Sequence, residues 1–208
     1  MESSSYIHKT DYTFDAERLY TEYKALARKY KLEQQTQISL TGFTEKDSWS
    51  CSTGVTDFLE YPEQCYYKTL KPIKGTYLEK CMNDFPSFYR WRLLVLNPRT
   101  CYSIHRDFER DPSSVNIRIH LPIVTNTQSY MCFYKTDSKR HALNYNIEDG
   151  VQEVLFNNLK AGIAYNTCTT FLHSAINHGK EPRIHLVGVT GVNLKSIDEI
   201  PDVLKNLR

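Results

Sequence analysis

The chain has 208 residues, enough for one domain with a sizeable buried core. Its 26 basic residues nearly balance 24 acidic ones, and no long run of one sign is present, so neither a nucleic acid nor an anionic membrane is expected as a partner. No apolar run is long enough to cross a bilayer, and the first residues, MESSSYIHKTDYTF, lack the apolar stretch of a secretory signal. We therefore expect a cytoplasmic protein.

The cysteines are scattered and include no CxxC pair, so the sequence predicts neither a zinc knuckle nor a redox pair. A chain of this size does not need disulfides to hold a core, and reduced thiols are expected, although the even count leaves pairing open. The six positions are Cys51, Cys65, Cys81, Cys101, Cys132 and Cys168.

The first part of the chain predicts helices and loops. From Asp15 to Lys31 apolar residues recur at spacings of three and four without Pro or Gly, which predicts one amphipathic helix. A strand is predicted over Gln37 to Thr41, followed by a loop-rich stretch from Gly42 to Gly75. A second, short helix is predicted from Thr76 to Asn83, before Pro86.

After Pro86 the pattern changes to short strands rich in β-branched and aromatic residues and bounded by turn residues. Two sheets that bury each other's inner faces are the simplest arrangement for them. We therefore predict a mainly β fold, a double-stranded β-helix (a jelly roll of the cupin type) with an N-terminal helix and a short supporting helix. The predicted strands are Tyr89 to Leu96, Cys101 to Arg106, Asn116 to Ile123, Ser129 to Lys135, Gly150 to Phe156, Ala161 to Asn166, Thr169 to Asn177 and Arg183 to Val189.

The chain contains no internal repeat and no domain linker, so we predict a single domain over residues 1–208. Within it, residues 1–85 are expected to form a helical and loop extension that supports the barrel. Residues 86–190 are expected to form the jelly-roll core, and residues 191–208 a C-terminal segment.

A His-Arg-Asp triplet at residues 105–107 is the first candidate for chemistry. Residues two apart on a strand share a face, so His105 and Asp107 can bind one metal while Arg106 faces away. Alone the triplet is weak evidence, because a surface His-Asp pair has the same pattern. Protein kinases share the triplet but need Asn at the position of Pro112 and a glycine-rich phosphate loop before it, so the kinase interpretation fails.

A second histidine and an arginine complete the pattern. His173 lies in a predicted strand, a turn follows at His178-Gly179, and a hairpin is predicted to return Arg183 to the neighbourhood of His173. Two histidines and one carboxylate can hold Fe(II) on one face and leave positions open for an acid and for oxygen. The planar fork of Arg183 can bind the far carboxylate of a dicarboxylic acid. Taken singly, His173 also fits a core histidine and Arg183 a solvated strand edge.

This constellation resembles the Fe(II)- and 2-oxoglutarate-dependent dioxygenases. Their pattern is His-x-Asp/Glu, a gap of several tens of residues, a second His and a basic residue about ten positions later; here the gap from Asp107 to His173 is 66 residues and Arg183 follows by ten. The resemblance covers roughly Tyr89 to Val189. It is closest to the aspartyl/asparaginyl β-hydroxylase-like branch, which includes small free-proline hydroxylases and carries an Arg-x-His-Leu segment, present here from Arg118 to Leu121.

The resemblance implies roles for individual residues and the use of Fe(II), 2-oxoglutarate and O₂. His105, Asp107 and His173 would hold the metal, and Arg183 would pair with the C5 carboxylate of 2-oxoglutarate. The implied reaction hydroxylates an unactivated C–H of a free, proline-like amino acid or of an amino-acid residue in a peptide, giving succinate and CO₂. Asp107 departs from the larger peptidyl β-hydroxylases, which have lost this carboxylate, and brings the chain nearer the small amino-acid hydroxylases.

The resemblance also places Arg118 and His120 near the C1 carboxylate or the metal end of the cosubstrate. A cross-strand pair within the core explains these two residues equally well. By alternation His185 lies on the same strand face as Arg183. It can support the site from behind, or it can be a histidine of the core. Arg92 is a candidate pocket residue, as are Trp91 and Tyr134, for which packing is the stronger interpretation.

Two alternatives remain at this point. One is a jelly-roll binding module without catalysis, because that fold also serves lectins and capsids. The other is a cupin-like metalloenzyme that does not use 2-oxoglutarate, in which Arg183 would be dispensable.

Overall fold

Antiparallel strands dominate the computed structural model, which describes residues 6–54, 59–107, 114–136, 150–194 and 196–208. Three α-helices lie within these ranges: α1 Ala16–Tyr30, α2 Tyr77–Asn83 and α3 Ile200–Asn206. The strands of the same ranges are β1 Ile7–Thr13, β2 Gln37–Ser39, β3 Thr41–Gly42, β4 Lys68–Thr69, β5 Tyr89–Leu96, β6 Thr100–Cys101, β7 Ser114–Val124, β8 Ser129–Thr136, β9 Val151–Asn157, β10 Ile163–Cys168, β11 His173–Asn177 and β12 Arg183–Asn193.

The strands form two main sheets, and the predicted jelly-roll class is confirmed. The larger sheet has the order β1-β10-β7-β12-β5-β2, the smaller has the order β6-β11-β8-β9, and β3 and β4 make a separate short pair. Side chains of β8, including Met131 and Phe133, pack with Tyr165 of β10, so the two sheets face each other at this point. Most strands that are neighbours in a sheet are not consecutive in the chain, because the chain crosses between the sheets as in other double-sheet folds.

The central strands β5, β7 and β12 of the larger sheet place most of their polar side chains on the same face by alternation. One face joins the main hydrophobic core, in which α1 and α2 are packed, through side chains such as Leu93, Ile119 and Leu186. The opposite face carries Arg92, His120 and other polar side chains of these strands. The sheet therefore has a helix-covered side and a polar side.

Helix α1 agrees with its prediction because both ends have ordinary capping signals. Asp15 is the N-cap, and its side chain accepts a hydrogen bond from the backbone N–H of Arg18 at 3.0 Å. Lys31 ends the helix in the left-handed conformation. Thr76 caps α2 in the same manner as Asp15, through the N–H of Glu79.

No helix in the described ranges has the length and apolarity needed to span a membrane. All six thiols are free.

Three predictions about the strands were wrong, the first of them the start of the strand Thr169 to Asn177, which begins only at His173. The segment Cys101 to Arg106 is not a strand beyond Cys101; its only later ladder contact is an isolated bridge between His105 and His173. The hairpin that was to join β11 to β12 does not form, because β11 pairs with β8 and β6 while β12 pairs with β5 and β7. The turn after Asn177 instead carries the chain from one sheet to the other.

Close packing at Gly188 gives a test of the helix-covered face. A Cβ atom built there would lie 2.8 Å from Cε2 of Trp91, which is only 3 % exposed. We expect Gly188→Ala to lower the free energy of unfolding by about 1–3 kcal/mol, because the indole must shift within a filled core. Urea denaturation measures this free energy, with Gly150→Ala as the control because no atom of the described residues lies within 4 Å of its built Cβ. Equal losses in both variants would contradict this packing.

Candidate active site

A cavity of about 400 Å³ lies between the two sheets, and the six residues that the sequence assigned to the metal or the cosubstrate all line it. They come from separate elements: β7 and β12 of the larger sheet, β11 of the smaller one, and the irregular segment that follows β6. The residues are His105, Asp107, His173, Arg183, Arg118 and His120. Gln37, Arg92, Tyr102 and Arg106 also contribute to the wall.

Three of these side chains place their ligand atoms together. The imidazole and carboxylate ligand atoms of His105, Asp107 and His173 lie within 4.8 Å of one another. Oδ1 of Asp107 is 3.8 Å from Nε2 of His105, and Oδ2 is 3.6 Å from Nε2 of His173. Two imidazoles and one carboxylate on one side of a point are the donor set of mononuclear non-haem iron sites. The residues thus fit an Fe(II) ion.

Backbone carbonyls fix the direction of both histidine rings. Nδ1 of His105 lies 2.7 Å from the carbonyl oxygen of Ser103, and Nδ1 of His173 lies 2.9 Å from that of Phe171. Because a carbonyl oxygen only accepts, each Nδ1 carries the proton and each Nε2 presents a lone pair to the cluster. Burial lowers the pKa of His173 to about 4, so this ring is neutral at pH 7. Neutral imidazole is the form that binds a metal.

Asp107 is held ionised by its neighbours. Burial would raise the pKa of this carboxyl, but the positive charge of Arg118 and the adjacent His173 and His105 lower it to about 2. Nη2 of Arg118 donates to Oδ1 at 2.7 Å. The second oxygen, Oδ2, is buried and has no hydrogen-bond partner in the described residues. A buried carboxylate oxygen without a donor is well explained by a cation.

Arg183 lies in the same cavity without a counter-charge. It is the first residue of β12 and is 3 % exposed. Within the described ranges no carboxylate is within ion-pair distance of its guanidinium. Burial lowers its pKa to about 10, which leaves the group positively charged at pH 7. A buried, unpaired guanidinium on a cavity wall is an anion site.

Comparison with known proteins identifies the family. The family described as Aspartyl/Asparaginyl beta-hydroxylase matches residues 15–189. The chain belongs to this family. It is therefore a hydroxylase of the dioxygenase class that uses Fe(II), 2-oxoglutarate and O₂. A search of curated protein sequences returned no match.

Solved structures resemble the hydroxylase in fold. AviO1 from Streptomyces viridochromogenes Tue57 has a TM-score of 0.52 at 10% identity, covering 92% of this chain and 91% of the other. A non-heme monooxygenase, the ThoJ-Ni complex, has a TM-score of 0.50 at 9% identity, covering 91% and 75%. At such low identity these likenesses show the jelly-roll fold alone.

Two histidines beneath the cavity wall of the hydroxylase form a buried pair. Nδ1 of His120 and Nδ1 of His185 are 3.4 Å apart, on the adjacent strands β7 and β12. Burial, and then the charge of Arg183, depress the pKa of both rings well below the usual value, so both are neutral. Nε2 of each ring lacks a partner in the part of the chain that the structure describes. Only His120 reaches the cavity, with His185 behind it.

The structure also revises expectations for residues beside the triad. Arg106 was expected to face away from the metal but lines the cavity, because residues 102–107 do not form a regular strand. Trp91 packs in the hydrophobic core, and Tyr134 does not line the cavity, although it shares a hydrogen bond of 2.7 Å with Ser174, which does. Sequence analysis missed Tyr102, whose buried hydroxyl has no hydrogen-bond partner among the described residues. The sequence indicated no role for Tyr102, because this residue lies in a segment that was predicted to be a regular strand and is not one.

Proposed function

We propose that the hydroxylase acts on an unactivated C–H bond of a free, proline-like amino acid or of an amino-acid residue in a peptide. In this reaction 2-oxoglutarate would be converted to succinate and CO₂. The observation that carries the proposal is that a two-histidine, one-carboxylate cluster and the unpaired Arg183 line one cavity. Metal-binding and anion-binding groups are then available to the two ends of one small dicarboxylic acid.

His105, Asp107 and His173 would hold the iron, which when bound supplies the activation of O₂. The protein's own part is to orient these ligands. Backbone bonds fix the two rings, and Arg118 fixes the carboxylate of Asp107 by donating to Oδ1. Positioning of this kind from outside the ligand set determines ligand direction and basicity.

Arg183 would bind the C5 carboxylate of 2-oxoglutarate through its two-pronged guanidinium. Arg118 and His120 would lie at the other end of the cosubstrate. His120 can donate from Nε2 to the C1 carboxylate when its Nδ1 accepts a hydrogen bond from the Nδ1–H of His185, and the 3.4 Å separation supports this arrangement. The cavity thus offers donors to both ends of the acid.

The volume of the cavity favours the free amino acid among the two substrate classes. About 400 Å³ lies in the lower part of the roughly 300–1,000 Å³ range of small-molecule sites. That space must accommodate 2-oxoglutarate as well as the substrate. A short amino acid fits this requirement better than a peptide segment.

The test is turnover by protein purified without oxygen and then supplied with Fe(II), 2-oxoglutarate and O₂. A panel of free amino acids and short peptides is offered, and both succinate and a product heavier by one oxygen atom are measured. We expect the two products in equal amounts with at least one free amino acid. Product formed without 2-oxoglutarate would favour the cupin-like alternative. Absence of both 2-oxoglutarate binding and succinate would refute the proposal.

A further inference from the structure

Arg92 is a second cationic residue of the cavity whose bonding is incomplete. It lies on β5, and its side chain is 2 % exposed. Nη1 donates to Oε1 of Gln37 at 3.3 Å, whereas Nε and Nη2 are buried and have no partner in the described ranges. A guanidinium carries five N–H donors and no acceptor. Its remaining donors need an acceptor that enters the cavity.

No carboxylate of the described residues is free to serve Arg92. Asp107, the only acidic residue lining the cavity in those ranges, accepts from Arg118, and Glu63 is paired with Arg90. Burial, and then the charge of Arg118, lower the pKa of Arg92 to about 9, so the buried guanidinium is still charged at pH 7 but this charge is destabilising. A buried charge without a counter-ion is destabilising until an anion joins it.

Arg92 and Arg183 occupy different places on the sheet. In the register of β5 and β12, Arg92 lies opposite Val187 while Arg183 lies opposite Leu96. Four residues along β5 correspond to roughly 13 Å. With their Cα atoms this far apart on the sheet, the two arginines can serve two different molecules or two distant groups.

The register of the larger sheet places Arg92 at the metal end of the cavity, because Val187 lies opposite both Arg92 and His120, and His120 is two residues from Arg118, which binds Asp107. After burial, the groups that shift the pKa of the Arg92 guanidinium are Arg118, Asp107 and Tyr102. For Arg183 they are Tyr102 and Cys132, without the metal-binding carboxylate. An anion on Arg92 is therefore held beside the proposed iron site and away from the C5 end of 2-oxoglutarate.

We propose that Arg92, positioned by Gln37, binds a carboxylate of the substrate while Arg183 binds 2-oxoglutarate. The proposal rests on the function proposed above and names the chemical class of its substrate: a small acid, such as a free amino acid, with its carboxylate intact. An internal residue of a peptide has no such group. The bond to be hydroxylated then lies close to the carboxylate, because Arg92 holds that group at the metal end.

The experiment compares free acids with their carboxamides in binding to wild type and Arg92→Met. Free L-proline and L-prolinamide, then other amino acids and their amides, are titrated calorimetrically into the Fe(II)- and 2-oxoglutarate-loaded protein without oxygen. Wild type is expected to prefer the acid by roughly tenfold or more, and Arg92→Met to lose that preference. The affinity for 2-oxoglutarate should not change. Arg28→Met makes the same chemical change on an exposed part of α1 and should retain the preference.

Thermal unfolding of the metal-free protein separates a binding role from a structural one. Because Arg92 is a buried charge without a counter-ion, Arg92→Met should melt at or above the wild-type temperature. Arg92→Lys keeps the charge but not the fork, and is expected to lose only part of the preference.

Three results would overturn the role of Arg92: a preference for the acid that survives in Arg92→Met, a weakened affinity for 2-oxoglutarate in that variant, or no free acid bound by wild type. The proposed function is judged separately, by 2-oxoglutarate binding and succinate formation with the wild-type protein. It can therefore stand when the Arg92 inference fails.

Discussion

Replacement of His173 by alanine is expected to abolish turnover and to weaken Fe(II) binding by more than about 100-fold while the fold is kept. The change removes one of three ligands, and no other residue of the described cluster can replace it. The two backbone hydrogen bonds between residues 105 and 173, each 2.9 Å long, do not depend on the side chain of residue 173. Anaerobic calorimetry with Fe(II) measures binding, and circular dichroism with thermal melting tests the fold.

His178→Ala is the matched control for this experiment. His178 is exposed on the turn after β11, five residues from His173, and lies outside the ligand cluster. It should bind Fe(II) and turn over like wild type. If His173→Ala also bound the metal with wild-type affinity, His173 would have to be removed from the proposed ligand set.

The central sheet could be predicted from sequence because two independent patterns agree there. In β5 and β7 a composition rich in β-branched, aromatic and other apolar residues coincides with an alternation of period two. This alternation places Leu93 and Ile119 against the helices, and Arg92 and His120 toward the cavity. The same alternation joins Arg118 to His120 on one face. These relations depend only on local geometry, and local geometry is what a sequence pattern encodes.

Relations between the sheets were not predictable in this way. The segment from His173 to Arg183 has the turn residues of a hairpin, yet the chain leaves one sheet for the other, because β8 and β7 provide the pairing edges. The bond from Arg118 to Asp107 likewise joins residues brought together by tertiary packing. β1 was missed because its mixed composition lacks the alternation of the central strands and it pairs on one side only, with β10.

The unsatisfied polar groups of the cavity affect both the stability of the protein and its affinity for ligands. Arg92, Arg183, His120 and Asp107 each have charge or hydrogen-bonding capacity that the described residues do not satisfy. Unpaired buried groups of this kind destabilise the empty protein, and metal and acids that satisfy them contribute binding free energy instead. Loading the hydroxylase with both metal and 2-oxoglutarate is thus coupled to its stability through the same side chains.

Arg183→Met is expected to raise the concentration of 2-oxoglutarate needed for half-maximal turnover by tenfold or more, and to leave Fe(II) affinity within about twofold of wild type. Charged hydrogen bonds contribute about 1.5–3 kcal/mol, and the lower of these values corresponds to roughly tenfold in binding. The metal ligands lie on other elements, and Asp107 forms no ion pair with Arg183 in the described structure. Succinate formation against 2-oxoglutarate concentration gives the first quantity, and anaerobic calorimetry gives the second.

Two further variants decide whether the guanidinium itself is responsible. Lys180→Met removes a nearby exposed charge from the same turn and should leave the requirement for 2-oxoglutarate unchanged. Arg183→Lys retains the charge but cannot offer the planar fork, so an intermediate requirement is expected. An unchanged requirement in Arg183→Met would assign the C5 carboxylate to another cation of the cavity. Arg92 would then be the first to test, because it too lacks an ion-pair partner in the described ranges.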